Sequence, residues 1–277
     1  MLITLVLLAC RPDTPEGSPP IERDSVDTDT TPTDTATSTG DCGTGEVWDQ
    51  DGCVPESCGR GTWGNLPPGT DAAWVDASAA EGGDGSRDFP LRAVAEGLST
   101  RKQFVYVAAG TYLENVVVGG GVELAGRCAE LVTIDASEDA VGIEVVGTAN
   151  VHGYTVVRAG EVGIAVRDGG DLSLADTVVD DTTGVGILVD GREATLAAFE
   201  VVVQGTDADS DRGGGIGISV QSGGIANLTS VLLEDNQQRG LYVRGFPSAA
   251  VLDKLTVRGT RPYGETNGYG YGHGIGC

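Results

Sequence analysis

The stretch VGIAVRDGGDLSLADTVVDDTTGVGILVDGREATLAAFEVVV, residues 162–203, carries one pattern twice. Gly163-Ile164-Ala165-Val166 is followed 23 residues later by Gly186-Ile187-Leu188-Val189, and both read as glycine, apolar, variable, valine. Gly142-Ile143-Glu144-Val145 precedes them; Gly217-Ile218-Ser219-Val220 and Gly240-Leu241-Tyr242-Val243 follow, and Gly274-Ile275 opens a sixth copy. Successive glycines are 21, 23, 31, 23 and 34 residues apart, the kind of period at which a chain stacks similar units along one axis.

Each interval holds a second short strand, over residues 151–157, 172–179, 194–203, 225–233 and 250–257. These segments alternate inward apolar with outward variable residues, as Leu172 and Leu174 do before Val178. A single unit has nothing against which to bury its inward face, so stability comes from neighbours stacked upon one another. The LxxLxLxxN spacing of leucine-rich repeats and the glycine period of collagen are both absent. The pattern predicts an all-β solenoid.

Composition agrees. Aromatics make up 5% of the 277 residues while glycine reaches 44, so Val, Ile, Leu and Ala must fill the core of short strands between tight turns. Forty-one acidic against 17 basic residues leave a net charge of -24, a field that repels nucleic acid and anionic headgroups. No nucleic-acid partner is expected. The carboxylates serve solvation, or recruit divalent cations.

Upstream of the repeats the chain changes character three times. Residues 1–10, MLITLVLLAC, form an apolar run too short to span a bilayer and without a basic start. Leu7-Leu8-Ala9-Cys10 resembles the lipobox of bacterial lipoproteins, which implies lipidation of Cys10 and a membrane partner. Arg11 is not the Asp that retains such proteins at the inner membrane, so an outer-membrane or cell-surface location is expected. Residues 11–41 collapse to Thr, Asp, Pro and Ser and read as a disordered tether, roughly 3 Å of reach per residue. Residues 42–66 pack Cys42, Cys53, Cys58, Trp48 and Trp63 into a span too small for an ordinary core. Disulfides are expected to staple it. The five cysteines after Cys10 are an odd number whose pairing is not legible, and their spacing lacks the close pairs of a zinc site.

From residue 67 the main domain begins. Trp74 opens a strand, and Asp88, Pro90, Leu91, Val94, Ala95 and Leu98 predict a short amphipathic helix capped by Asp88. This order of elements, with Gly82-Gly83-Asp84-Gly85-Ser86, Pro90, Ala109-Gly110-Thr111-Tyr112, Glu114-Asn115 and Ile134-Asp135, resembles the right-handed parallel β-helix proteins of the pectin-lyase-like fold. The resemblance spans about residues 70–277 and implies that the helix caps the first coil.

Two repeats are longer than the rest at the same place, just before the next anchor glycine: residues 204–215, QGTDADSDRGGG, and 259–273, GTRPYGETNGYGYGH. Any site is expected on these loops. Asp207, Asp209 and Asp211 stand on alternate residues, an arrangement that suits Ca²⁺ or a plain solvated turn. Arg212 where glycine should follow, and Ile218 at the twelfth position, exclude an EF-hand. Tyr242, Tyr263, Tyr269 and Tyr271 are candidate sugar-stacking rings, or loop filler. The ending GYGYGHGIGC, residues 268–277, resembles the GHG motif of polygalacturonases. That family's NTD motif is absent, and Asp180-Asp181 is the only adjacent Asp pair in the repeats, several coils before His273. No catalytic residue is assigned. The expected role is non-catalytic binding, adhesion or structure at the surface, with carbohydrate as the first ligand and no required cofactor. A polysaccharide lyase or glycoside hydrolase for acidic glycans is the alternative. Gly274-Ile275 opens a coil that does not close, so the chain is expected to be a fragment or an early-terminated product.

Overall fold

The computed structural model describes residues 42–49, 52–69, 71–137, 140–209, 213–262 and 273–276. Cys10, the tether at 11–41, Asp211, Tyr263, Tyr269, Tyr271 and Cys277 lie outside them. The described chain is all-β and mostly parallel, with very little helix and no closed barrel. In one sheet the neighbours are Ala72–Val75, Phe104–Val107, Val122–Gly126, Thr148–Val157, Asp171–Asp180, Thr195–Gln204, Ile225–Thr229 and Ala249–Asp253. A second sheet runs Val116–Gly119, Val141–Val146, Val162–Val166, Val185–Asp190, Ile216–Gln221, Arg239–Arg244 and His273–Gly276. Spatial order is chain order in both, so each strand pairs with its counterparts one repeat before and one repeat after.

Register follows the sequence pattern. Ile164 lies beside Ile143 and Ile187, Ile187 beside Ile218, and Ile218 beside Leu241. These side chains are buried in one continuous core together with Leu172, Leu174, Leu196 and Leu228. Each such burial contributes about 1.5–3 kcal/mol, which no isolated repeat could collect.

The anchor glycines are explained by crowding. A Cβ on Gly186 would lie 2.3 Å from Val203 Cγ1 and 2.6 Å from the carbonyl oxygen of Gly217; Gly163 meets Val179 and Gly186 at 2.5 and 2.6 Å. Glycine stacks on glycine because Gly142, Gly163, Gly186 and Gly240 each pass against a valine in the second strand of their own repeat. A different device bends the long strands. Gly153, Asp176 and Glu200 take positive φ in the middle of Thr148–Val157, Asp171–Asp180 and Thr195–Gln204, and the ladder skips all three. Each ten-residue strand therefore turns a corner at one left-handed residue.

The helix α1 covers Val94–Ser99, shorter and later than the expected start at Asp88. Leu91 is held extended instead, its N–H donating to Trp74 O and its carbonyl accepting from Asp76 N–H. Residues before Ala93 thus serve the sheet, and α1 is capped by carboxylates that the sequence does not place at an N-cap. Glu114 accepts from the N–H groups of Val94 and Ala95 at 2.7 and 2.8 Å, and Glu96 from Arg92 and Ala93. A Cβ on Gly97 would fall 2.7 Å from Val75 and 2.9 Å from Val105, which puts α1 directly on the first strands.

Cysteine pairing ties residues 42–66 together and fastens them to the repeats. Cys42 bonds Cys53 of Gly52–Pro55, a strand paired antiparallel with Glu46–Asp49, and Cys58 bonds Cys128 of the main domain. Beside that second bridge the buried Arg127 donates to Asp49 Oδ2 at 2.7 Å and to the carbonyls of Cys58 and Gly59. A hydrogen bond from Gly61 N–H, then Arg127, holds the Asp49 carboxyl below its ordinary range. Trp63 is buried edge-on against Trp74, which meets Tyr106 in turn. Trp63 is therefore core filler, whereas Trp48 stays exposed.

Candidate functional site

The two long insertions leave the same corner of the stack, where the first sheet hands over to the second. Five neighbouring repeats place Arg158, Asp181, Gly205, Asp235 and Gly259 there at positive φ, and the following Thr182, Thr206 and Asn236 are buried. Asn236 Nδ2 donates to Val203 O at 3.0 Å, and its Oδ1 accepts from Thr206 N–H at 3.2 Å. Asn236 thus ties its own turn to the one before it.

Outside the corner, arginine and carboxylate pair from one repeat to another. Arg158 embraces Asp135 and lowers its pKa, Arg258 meets Glu234 at 2.8 Å, and Arg261 reaches Asp207 Oδ1 at 2.7 Å. Arg261 also donates to Asp235 O, so it spans two repeats from the base of the second insertion to the base of the first. Sequence reading missed these pairs because their members stand a full period or more apart. The one signal that could have found any of them is that Asp207 and Arg261 each stand 21 residues after an anchor glycine, Gly186 and Gly240.

Of the three aspartates singled out, Asp207 is bound to Arg261 and Asp209 lies on Ala208–Asp209, paired with Gly213–Gly214 in a small hairpin. Asp211 is outside the described residues. A cation at Asp207 must displace a guanidinium. Of the four tyrosines, Tyr242 is described: it sits half-buried on Arg239–Arg244 with the Arg239 guanidinium 4.5 Å from its ring centre. Its neighbours across the ladder are Ser219 and Gly276, and His273 lies in register with Arg239. The structure therefore brings Tyr242, Arg239, His273, Asp207 and Arg261 to adjoining repeats around one corner and the sheet face beside it.

No family model, curated protein or solved structure matches this chain.

A carboxylate that the sequence reading passed over stands at the bend. Partial burial, then Glu130, raises the Asp176 pKa, with a smaller push from Glu200, while His152 pulls it down. Burial at a tight corner, with like charges stacked beside it, accounts for that shift without a substrate. A hollow of 630 Å³ lies elsewhere, between α1 and Gly110–Leu113, lined by Leu91, Arg92, Glu96, Tyr112 and Glu114. Two of its carboxylates, Glu96 and Glu114, are committed to capping α1. Among the described residues the one tight cluster of metal-ligand types is Cys58, Cys128 and Glu130, and its sulfurs are joined to each other. No helix among the described residues is long and apolar enough to cross a membrane.

Proposed function

We propose that the chain is a right-handed parallel β-helix of the pectin-lyase-like kind that binds carbohydrate without cleaving it. In this reading Cys10 carries a lipid anchor at the outer membrane or cell surface, and residues 11–41 hold the domain away from it. The observation that supports binding is the Arg239–Tyr242 stack, set beside two insertions tied together by Arg261 and Asp207. An aromatic ring beside a guanidinium combines an apolar surface with hydrogen-bond donors, which is what a sugar ring with apolar faces and polar edges requires. Tyr263, Tyr269 and Tyr271 belong to the neighbouring insertion in sequence and are part of this proposal by residue type alone.

A polysaccharide array tests this. Binding without depolymerisation is expected, weakened about tenfold by Tyr242→Ala, which corresponds to ~1.4 kcal/mol. The array repeated with a chelator tests calcium at Asp207, Asp209 and Asp211. Cleavage of any acidic glycan, abolished by Asp207→Ala, overturns the non-catalytic reading, and a blank array removes carbohydrate. The anchor is tested separately: Cys10→Ser should release the protein from membranes, because two or more acyl chains hold a protein that none would. Retention of that variant sinks the lipid assignment.

A further inference from the structure

We propose that Cys58, Cys128 and Glu130 hold a thiophilic divalent cation, with Zn²⁺ as the type, whenever the bridge between the two cysteines is reduced. Among the described residues they are the one group of metal-ligand types whose ligand atoms, two sulfurs and a carboxylate oxygen, all lie within 4.8 Å of one another. Tetrahedral Zn²⁺, with Zn–S of about 2.3 Å and Zn–O of about 2.0–2.2 Å, sets its ligand atoms roughly 3.5–3.8 Å apart. Glu130 Oε2 already stands 3.6 Å from Cys58 Sγ. In the bridged state that sulfur carries no proton to donate, so the approach is not a hydrogen bond. The 70 residues between the cysteines hide the trio from any reading of local spacing.

The surroundings suit a cation. Both cysteines are buried and Glu130 is exposed, so the ion has an entry side, and three protein ligands leave a fourth position for water. Arg127, itself buried, fixes the Cys58 backbone by donating to the carbonyls of Cys58 and Gly59, while its charge is met by Asp49. Two thiolates and Glu130 therefore offer three negative charges to one divalent ion. The redox step balances with a small dithiol as reductant: it closes to its own disulfide and passes two electrons and two protons to the bridge, whose sulfurs part as two thiols. The cation then binds the thiolates, and both protons leave to solvent. A metal link thus replaces the covalent one, and residues 56–66 stay fastened to the repeats in either state.

The full chain with Cys10, Cys42, Cys53 and Cys277 changed to serine keeps only the thiols of this trio. It is reduced with a dithiol, freed of it under inert gas, and titrated with Co²⁺ and then Zn²⁺. A thiolate-to-cobalt charge-transfer band is expected, saturating at one ion per chain, lost when Zn²⁺ displaces Co²⁺, and absent from the oxidised protein. Glu130→Gln should weaken binding by about tenfold or more. Tryptophan emission gives a second reading. Reduction loosens the segment in which Trp63 is buried and should shift the emission to the red, and Zn²⁺ should return it toward the blue. A sample in which both thiols react with a thiol reagent, yet no band appears, overturns the proposal. So does a band that Glu130→Gln leaves unchanged, or emission that stays red at saturating Zn²⁺.

Discussion

Gly186→Ala is expected to destabilise the domain by about 3 kcal/mol and to lower its melting temperature by roughly 10 °C. The added methyl would lie 2.3 Å from Val203 and 2.6 Å from the Gly217 carbonyl. The valine is packed in the core and the carbonyl is backbone of the next repeat, so neither yields without moving a neighbour. Gly52→Ala is the control: nothing lies within 4 Å of a Cβ there and no positive φ is required, so the change should stay within about 0.5 kcal/mol. Thermal melts of the two variants decide it. Equal melting would mean that the anchor glycine is not there for steric reasons, and the steric explanation of the repeat would fail with it.

Replacing Cys58 and Cys128 together by serine should cost more, about 4 kcal/mol from chain entropy alone. The bridge spans 70 residues of sequence, against 11 for Cys42–Cys53, and loop-closure entropy grows with that span. Its loss also frees the segment whose carbonyls hold Arg127 and whose Trp63 covers Trp74 and Tyr106. Tryptophan emission should shift to the red at temperatures where the repeats remain folded. The Cys42/Cys53 double serine variant should leave that emission nearly unchanged, since Trp48 is already exposed. Equal responses from the two variants would show that residues 56–66 dock without the long bridge.

Much of the fold was legible because a stacked repeat writes its geometry into a local pattern. Gly163, Ile164 and Val166 recur as Gly186, Ile187 and Val189 since each occupies the same place in an identical environment, and the second strands were visible for the same reason. The start of α1 was misplaced because Asp88 and Pro90 carry genuine start signals, yet a sheet that needs the Leu91 backbone outweighs them. Glu114 stands twenty residues after Val94, whose N–H it caps, and nothing local announces it.

The candidate corner was legible only in part. Extra length before Gly217 and Gly274 identified where loops would project, and Tyr242 was singled out by type. That Arg239 lies over its ring, and that Arg261 takes Asp207 away from a free acidic triad, are contacts with no signature in spacing alone. Asp176 is the sharpest case: its raised pKa comes from burial and from Glu130, on a different repeat.

The sequence by itself determined the period, the inward and outward faces of each strand, and the recurrence of the anchor glycines, because these follow from the preferences of single residues repeated in register. Only the tertiary structure decided which cysteines bond and which arginine meets which carboxylate. Those are facts of distance between residues one period or seventy positions apart, and a residue's identity records what it can bond to, not what the folded chain brings within reach.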